Sequence, residues 1–134
     1  MEFIARHQRV WTYIAELLKR LLPDHAEMVS RSLFPSLLGG MFHYAVLNLE
    51  GNTPPHRDSK DYDWSCVVPL GDFTGGELCL TYGGVRLPVR RGDLAIMHSR
   101  RTWHHVERSE GRRGSIVLTN HTTVLLERDQ RNIY

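Results

Sequence analysis

The sequence predicts a mainly β protein with an N-terminal helix, a double-stranded β-helix of the jelly-roll, cupin-like kind. Apolar residues near the start recur at three- and four-residue spacing, as on one amphipathic helix. From Met41 onward the chain changes to short apolar runs broken at regular intervals by glycine turns, the pattern of a sandwich or barrel. A length of 134 residues, 41% of them hydrophobic, fits one domain with a real core and little left for a second module. The reading is therefore a single domain over 1–134, with helical support over 1–40 and the jelly-roll core over 41–128.

The helix is predicted from Phe3 to Leu22. Ile4, Val10, Trp11, Ile14, Leu17, Leu18 and Leu21 form its apolar stripe, and Arg6, Arg9, Glu16, Lys19 and Arg20 lie largely off it. Pro23 ends it, because the residue before a proline is pushed away from helical angles. Strands follow at Met41 to Leu49, Trp64 to Leu70, Glu77 to Tyr82, Val85 to Val89, Leu94 to Met97, Trp103 to Glu107 and Gly114 to Leu126. The turns between them carry Glu50-Gly51-Asn52, Gly71-Asp72, Gly75-Gly76, Gly83-Gly84 and Arg91-Gly92-Asp93. The helix is expected to cover one sheet face, and the strands to form a double-sheet jelly roll.

Net charge is only +2, so distribution matters more than the sum. Arg90-Arg91, Arg100-Arg101 and Arg112-Arg113, with Arg108, gather around one half of the chain. They read equally as a solubilising surface or as a rim for phosphates. Cys66 and Cys79 alone make no disulfide framework and no zinc site, and both sit in apolar strand-like runs. Reduced, buried thiols in an intracellular protein are the expectation, without structural zinc. No signal peptide, membrane-spanning run, repeat or low-complexity segment is visible.

The chemistry concentrates in His56-Arg57-Asp58 and in His104, 46 positions beyond Asp58. Two imidazoles and one carboxylate hold non-haem iron(II) on one octahedral face and leave the other open for co-substrate and oxygen. Zinc would accept the same ligands. His56 and Asp58 stand two apart at a strand edge and are expected on one side, with His104 arriving from a facing strand. His104 and His105 must point to opposite faces, and His104 is the ligand because its spacing to Arg113 fits. Arg113 and Ser115 form an Arg-x-Ser pair on one strand face. The guanidinium can grip a carboxylate with two hydrogen bonds and Ser115 can add a hydroxyl, while Arg112 points to the surface. Iron ligands with a carboxylate anchor suggest an oxygenase that consumes 2-oxoglutarate. His121, eight residues past Arg113, is expected on the same inward face. His7 and His25 read as helix surface and loop, and His43 and His98 as packed or hydrogen-bonded.

The runs HRDSKD, VVPLGDFTGGELCL, RGDLAIMHSRRTWHHV and GRRGSIVLTNH, within Phe42 to Val124, resemble the TET/JBP group of 2-oxoglutarate dioxygenases, most of all its short fungal and related members. The resemblance implies Fe(II), 2-oxoglutarate and O2, with ascorbate as reductant. It implies His56, Asp58 and His104 as iron ligands, and Arg113, Ser115 and Asn48 around 2-oxoglutarate. Asp61 and His121, with Arg57 and Lys60, would meet the substrate, a methylated base in DNA. The implied reaction takes 5-methylcytosine to 5-hydroxymethylcytosine and further, by a monomer, in the nucleus if the source is eukaryotic. The base must leave the stack to be reached. Many members carry an amide where Asp61 stands and some an aromatic residue where Thr119 stands. The cysteine-rich zinc region of animal relatives is missing. N6-methyladenine, a peptide or a small molecule are alternative substrates, and a non-catalytic binding module is the remaining reading.

Overall fold

The computed structural model describes residues 2–32, 34–36, 38–49 and 52–124. The chain divides into two compact units, Met1–Tyr44 with Asn120–Tyr134, and Ala45–Thr119.

In the first unit the single predicted helix is two, α1 (Glu2–Arg6) and α2 (Gln8–Leu21), and a third that was not predicted, α3 (Pro23–Ser30), follows. His7 interrupts the first two at φ −106° and ψ 20°. Pro23 ends α2 and also opens α3, because a proline in the first turn gives up only an N–H that has no intrahelical partner. Trp11, Ile14, Ala15 and Leu18 form the buried stripe of α2, whereas Val10, Leu17 and Leu21 at its margins are exposed. Gly39, at φ +70°, lets the chain pass so close to α2 that a Cβ there would stand 2.4 Å from that of Ala15. His25 is not a surface loop residue but lies buried in α3. The Asn120 amide ties the segment before the sheets together: its Oδ1 accepts from the backbone N–H of His43 at 2.9 Å, and its Nδ2 donates to the Met41 carbonyl at 3.0 Å.

Eight strands follow: β1 (Tyr44–Asn48), β2 (Thr53–His56), β3 (Ser65–Gly75), β4 (Leu78–Leu80), β5 (Val85–Leu87), β6 (Ala95–Met97), β7 (His104–Val106) and β8 (Ser109–Thr119). They make two four-stranded sheets, in the orders β1-β8-β3-β6 and β2-β7-β4-β5. Val67, Leu78, Ala95 and Met97 are buried together, with Leu80, Val106 and Val117 packed against them. These side chains come from both sheets, so the core lies between the sheets, and the fold is a jelly roll.

β3 and β8 are longer than the sequence predicts. Gly71-Asp72, expected as a turn, lies inside β3, with Gly71 opposite Arg113 and Asp72 opposite Arg112. Gly71 has φ +97°, and a Cβ on it would stand 2.0 Å from the Arg112 carbonyl oxygen. Glycine here permits close approach of two strands rather than a reversal. β8 stops at Thr119, and residues 122–124 are helical, so the strand predicted to Leu126 ends early. Leu125 and Leu126 lie outside the described residues, as do Glu50 and Gly51 of the predicted turn. No helix among the described residues is long and apolar enough to cross a membrane.

Candidate metal centre

β2 is an edge strand, and two of its four residues are prolines, which lack the N–H an inner strand needs. Thr53 pairs with Val106 and His56 with His104. Three steps on β2 thus match two on β7, and this bulge sets His56 directly across from His104. His104 therefore comes from the adjoining strand of the same sheet, not from a facing strand. Asp58 follows β2 in a loop whose backbone N–H donates to the Ser99 carbonyl at 3.2 Å.

The three side chains converge, with one ligand atom from each lying within 4.8 Å of the others. His56 Nε2 is 3.6 Å from Asp58 Oδ1, and His104 Nε2 is 3.5 Å from Asp58 Oδ2. Nδ1 of His56 is 2.8 Å from the Pro54 carbonyl oxygen, and Nδ1 of His104 is 2.8 Å from that of Thr102. A carbonyl only accepts, so both Nδ1 atoms carry a proton and both Nε2 atoms are turned toward the carboxylate. Second partners of this kind fix the tautomer and the ring direction of metal-binding histidines.

Electrostatics agrees with the geometry. Burial by itself would raise the Asp58 pKa, but the hydrogen bond from His104 and the charges of His104 and His56 outweigh it and hold it below the ordinary value. Burial would lower His104, yet the Asp58 hydrogen bond, the Thr102 carbonyl and the nearby carboxylates raise it. A divalent cation would replace the proton that the pair now shares. An N,N,O donor set of this size suits iron(II), manganese(II) or zinc(II).

Arg113 lies on β8 and is 6% exposed. Its Nε and Nη2 are buried and make no hydrogen bond, and its guanidinium carbon sits 5.2 Å from the centre of the Phe73 ring. Burial alone lowers its pKa. An arginine fork buried without an acceptor is costly unless an anion comes to it. Gly76 makes the room, since a Cβ there would fall 2.7 Å from Arg113 Cδ. Ser115, two residues along β8, is buried on the same face. A cavity of about 730 Å³ reaches Arg113 past Leu47, Leu70, Gly71, Arg108 and Arg112. None of His56, Asp58 and His104 lines it, so it marks the approach to Arg113 rather than to that cluster. Asn48 ends β1 half-buried, its carbonyl facing the bare α-carbon of Gly114.

The remaining predicted residues have other partners, though Asp61 stays close to the cluster, its backbone N–H donating to the Asp58 carbonyl at 2.9 Å. Asp61 is buried, and its Oδ2 accepts from the Ser99 hydroxyl at 2.6 Å and from the Ser65 hydroxyl at 3.0 Å. It anchors a hydroxyl cluster that extends to Thr119. His121 is not on β8 but in the helical unit, stacked on Tyr44 at 4.2 Å. Arg57 and Lys60 are exposed, and the Arg57 guanidinium lies over the Trp103 ring at 5.2 Å. Sequence reasoning missed Phe73 and Trp103, whose only signal is an aromatic residue beside a glycine turn or a ligand histidine.

No family model matches the chain, and no curated protein matches it. Among solved structures it is similar to NgTET1 in complex with 5mC DNA, at 22% identity and a TM-score of 0.75, over 87% of this chain and 49% of that one. The chain thus spans about half the length of that protein and has its fold. A 2OG-Fe(II) oxygenase family oxidoreductase from Burkholderia pseudomallei aligns at 24% identity and a TM-score of 0.45, over 56% of this chain and 39% of that one.

Proposed function

We propose that the chain is an iron(II)- and 2-oxoglutarate-dependent dioxygenase that hydroxylates the methyl group of a modified nucleic-acid base, with 5-methylcytosine in DNA as its substrate. The observation that carries the reading is the pairing of a preoriented His56, Asp58 and His104 cluster with a buried guanidinium at Arg113 that has no acceptor of its own. Iron bound with 2-oxoglutarate and dioxygen supplies C–H oxidation coupled to decarboxylation to succinate and carbon dioxide. His56, Asp58 and His104 hold the ion and leave its opposite face open. Arg113 takes the far carboxylate of 2-oxoglutarate, helped by Ser115, and their burial excludes water from that contact. Arg57 flanks the ligands in sequence, and the bond from Asp58 to Ser99 brings exposed Arg100 and Arg101 beside the same loop, where they can meet phosphates. NgTET1, whose fold this chain shares, was solved with 5mC DNA, and this supports the choice of base.

The test is mass spectrometry of nucleosides after incubation with iron(II), ascorbate, 2-oxoglutarate and oligonucleotides carrying 5-methylcytosine or N6-methyladenine. The expected product is 5-hydroxymethylcytosine, absent with His104→Ala. A product from N6-methyladenine alone would change the base. Succinate release that no oligonucleotide stimulates would keep the iron chemistry and move the substrate to a peptide or small molecule.

A further inference from the structure

β4 and β7 pair so that Cys79 stands directly opposite His105. Leu78, Leu80 and Val106 turn toward the core and His104 toward Asp58, so alternation puts Cys79, His105 and Glu107 together on the other face of the sheet. Their ligand atoms lie within 4.8 Å of one another. Glu107 Oε1 is 3.4 Å from His105 Nε2 and 3.9 Å from Cys79 Sγ. A tetrahedral zinc ion at ordinary bond lengths holds its N, O and S ligands about 3.3–3.6 Å apart, so the observed spacing needs only small rotations. Thr81 Oγ1 lies 3.2 Å from His105 Nδ1 and can accept its proton, which leaves Nε2 for an ion.

We propose that Cys79, His105 and Glu107 form a second metal site, for zinc, on the outer face of the β2-β7-β4-β5 sheet. A thiolate, an imidazole and a carboxylate are the borderline-soft donor set that zinc takes, with water in the fourth position. The cysteine count alone predicts no zinc site, but this one needs a single thiolate. The competing arrangement is the contact of Arg86 with the same Glu107 oxygen at 3.2 Å. The Arg86 side chain is 69% exposed, so it can leave at little cost. An ion there would tie β4 to β7, the strand whose opposite face carries His104. The site is thus a clamp on the backbone behind the first centre, and it stands independently of the activity proposed above.

Cobalt(II) is the probe, because only a thiolate ligand gives it a strong near-ultraviolet charge-transfer absorption. His56, Asp58 and His104 contain no sulfur and cannot produce that band. The full chain should bind two equivalents of cobalt with the band present. His104→Ala should lose one equivalent and keep the band. Cys79→Ser should lose the band and one equivalent, and Cys66→Ala should change neither. His105→Ala gives the same reading if Cys79→Ser does not fold. Absence of the band from the full chain, or its survival in Cys79→Ser and His105→Ala, would overturn the site, whatever the protein does to DNA.

Discussion

His56 and His104 face each other across β2 and β7 with ring centroids 4.4 Å apart, and each donates Nδ1–H to a carbonyl of its own strand approach. Two imidazoles held this close, both with Nε2 toward one carboxylate, are poor neighbours when protonated. They are good neighbours around a cation. The Pro54-Pro55 bulge is what produces the pairing, because without the extra residue His56 would fall out of register with His104.

Metal loading should therefore depend on pH in a defined direction. His104 has a pKa above the ordinary 6.5, so the stabilisation it brings to the metal-free fold is full below that value and is lost as pH rises through the raised one. Asp58 has a pKa below the ordinary 3.8, so its share is present above that value and is lost as pH falls through the lowered one. Between 3.8 and 6.5 the pair is closed, and a metal must displace the His104 proton. Manganese(II) affinity, measured by calorimetry, should fall about tenfold per pH unit below the His104 midpoint and level off above it. A flat profile across that midpoint would contradict the assignment of His104 as a ligand.

Gly71→Ala should be among the most damaging single changes in the chain. Its Cβ would meet the Arg112 carbonyl oxygen at 2.0 Å, and φ is +97°. Strain and displacement of the β3–β8 pairing should together cost about 3 kcal/mol or more. Gly92→Ala is the control: φ is +91° but nothing lies within 4 Å of its Cβ. It should cost about 1–2 kcal/mol, the conformational penalty alone. Urea unfolding midpoints compare the two, and equal costs would refute the close approach.

Much of this was legible in the residues, and the part that was not has a common cause. Glycine spacing marks where strands break, and the His56, Asp58 and His104 cluster stands out because two imidazoles and a carboxylate are a metal-binding donor set. Register is not written in spacing. The bulge at Pro54-Pro55, the passage of β3 through Gly71-Asp72, and the meeting of Cys79 with His105 all depend on which strands pair and where. Asp61 shows the same limit from the other side. Its position after Asp58 says nothing of Ser65 and Ser99, which arrive from β3 and from the turn after β6 to donate to its Oδ2. The break at His7 escaped because the apolar stripe continues across 3–22 as though one helix ran through, and the reuse of Pro23 as a helix start escaped because a proline that stops one helix can equally open the next.

Arg113 gives the sharpest test of the co-substrate site, because its two roles pull in opposite directions. Its Nε and Nη2 are buried without partners, so the empty fold carries the cost of an unsatisfied charged group. Arg113→Met keeps the long stem that packs beside Gly76 and removes that burden. The metal-free, co-substrate-free protein should become more stable by about 1–3 kcal/mol. The same variant should lose the stabilisation that 2-oxoglutarate gives, about 2.7 kcal/mol at a hundred times its Kd. Arg113→Lys keeps the charge but not the fork, and should raise KM for 2-oxoglutarate while leaving part of the thermal shift. Melting curves with and without manganese(II) and 2-oxoglutarate separate the outcomes. A less stable apo Arg113→Met whose 2-oxoglutarate shift survives would show that Arg113 is a packing residue and that the carboxylate binds elsewhere.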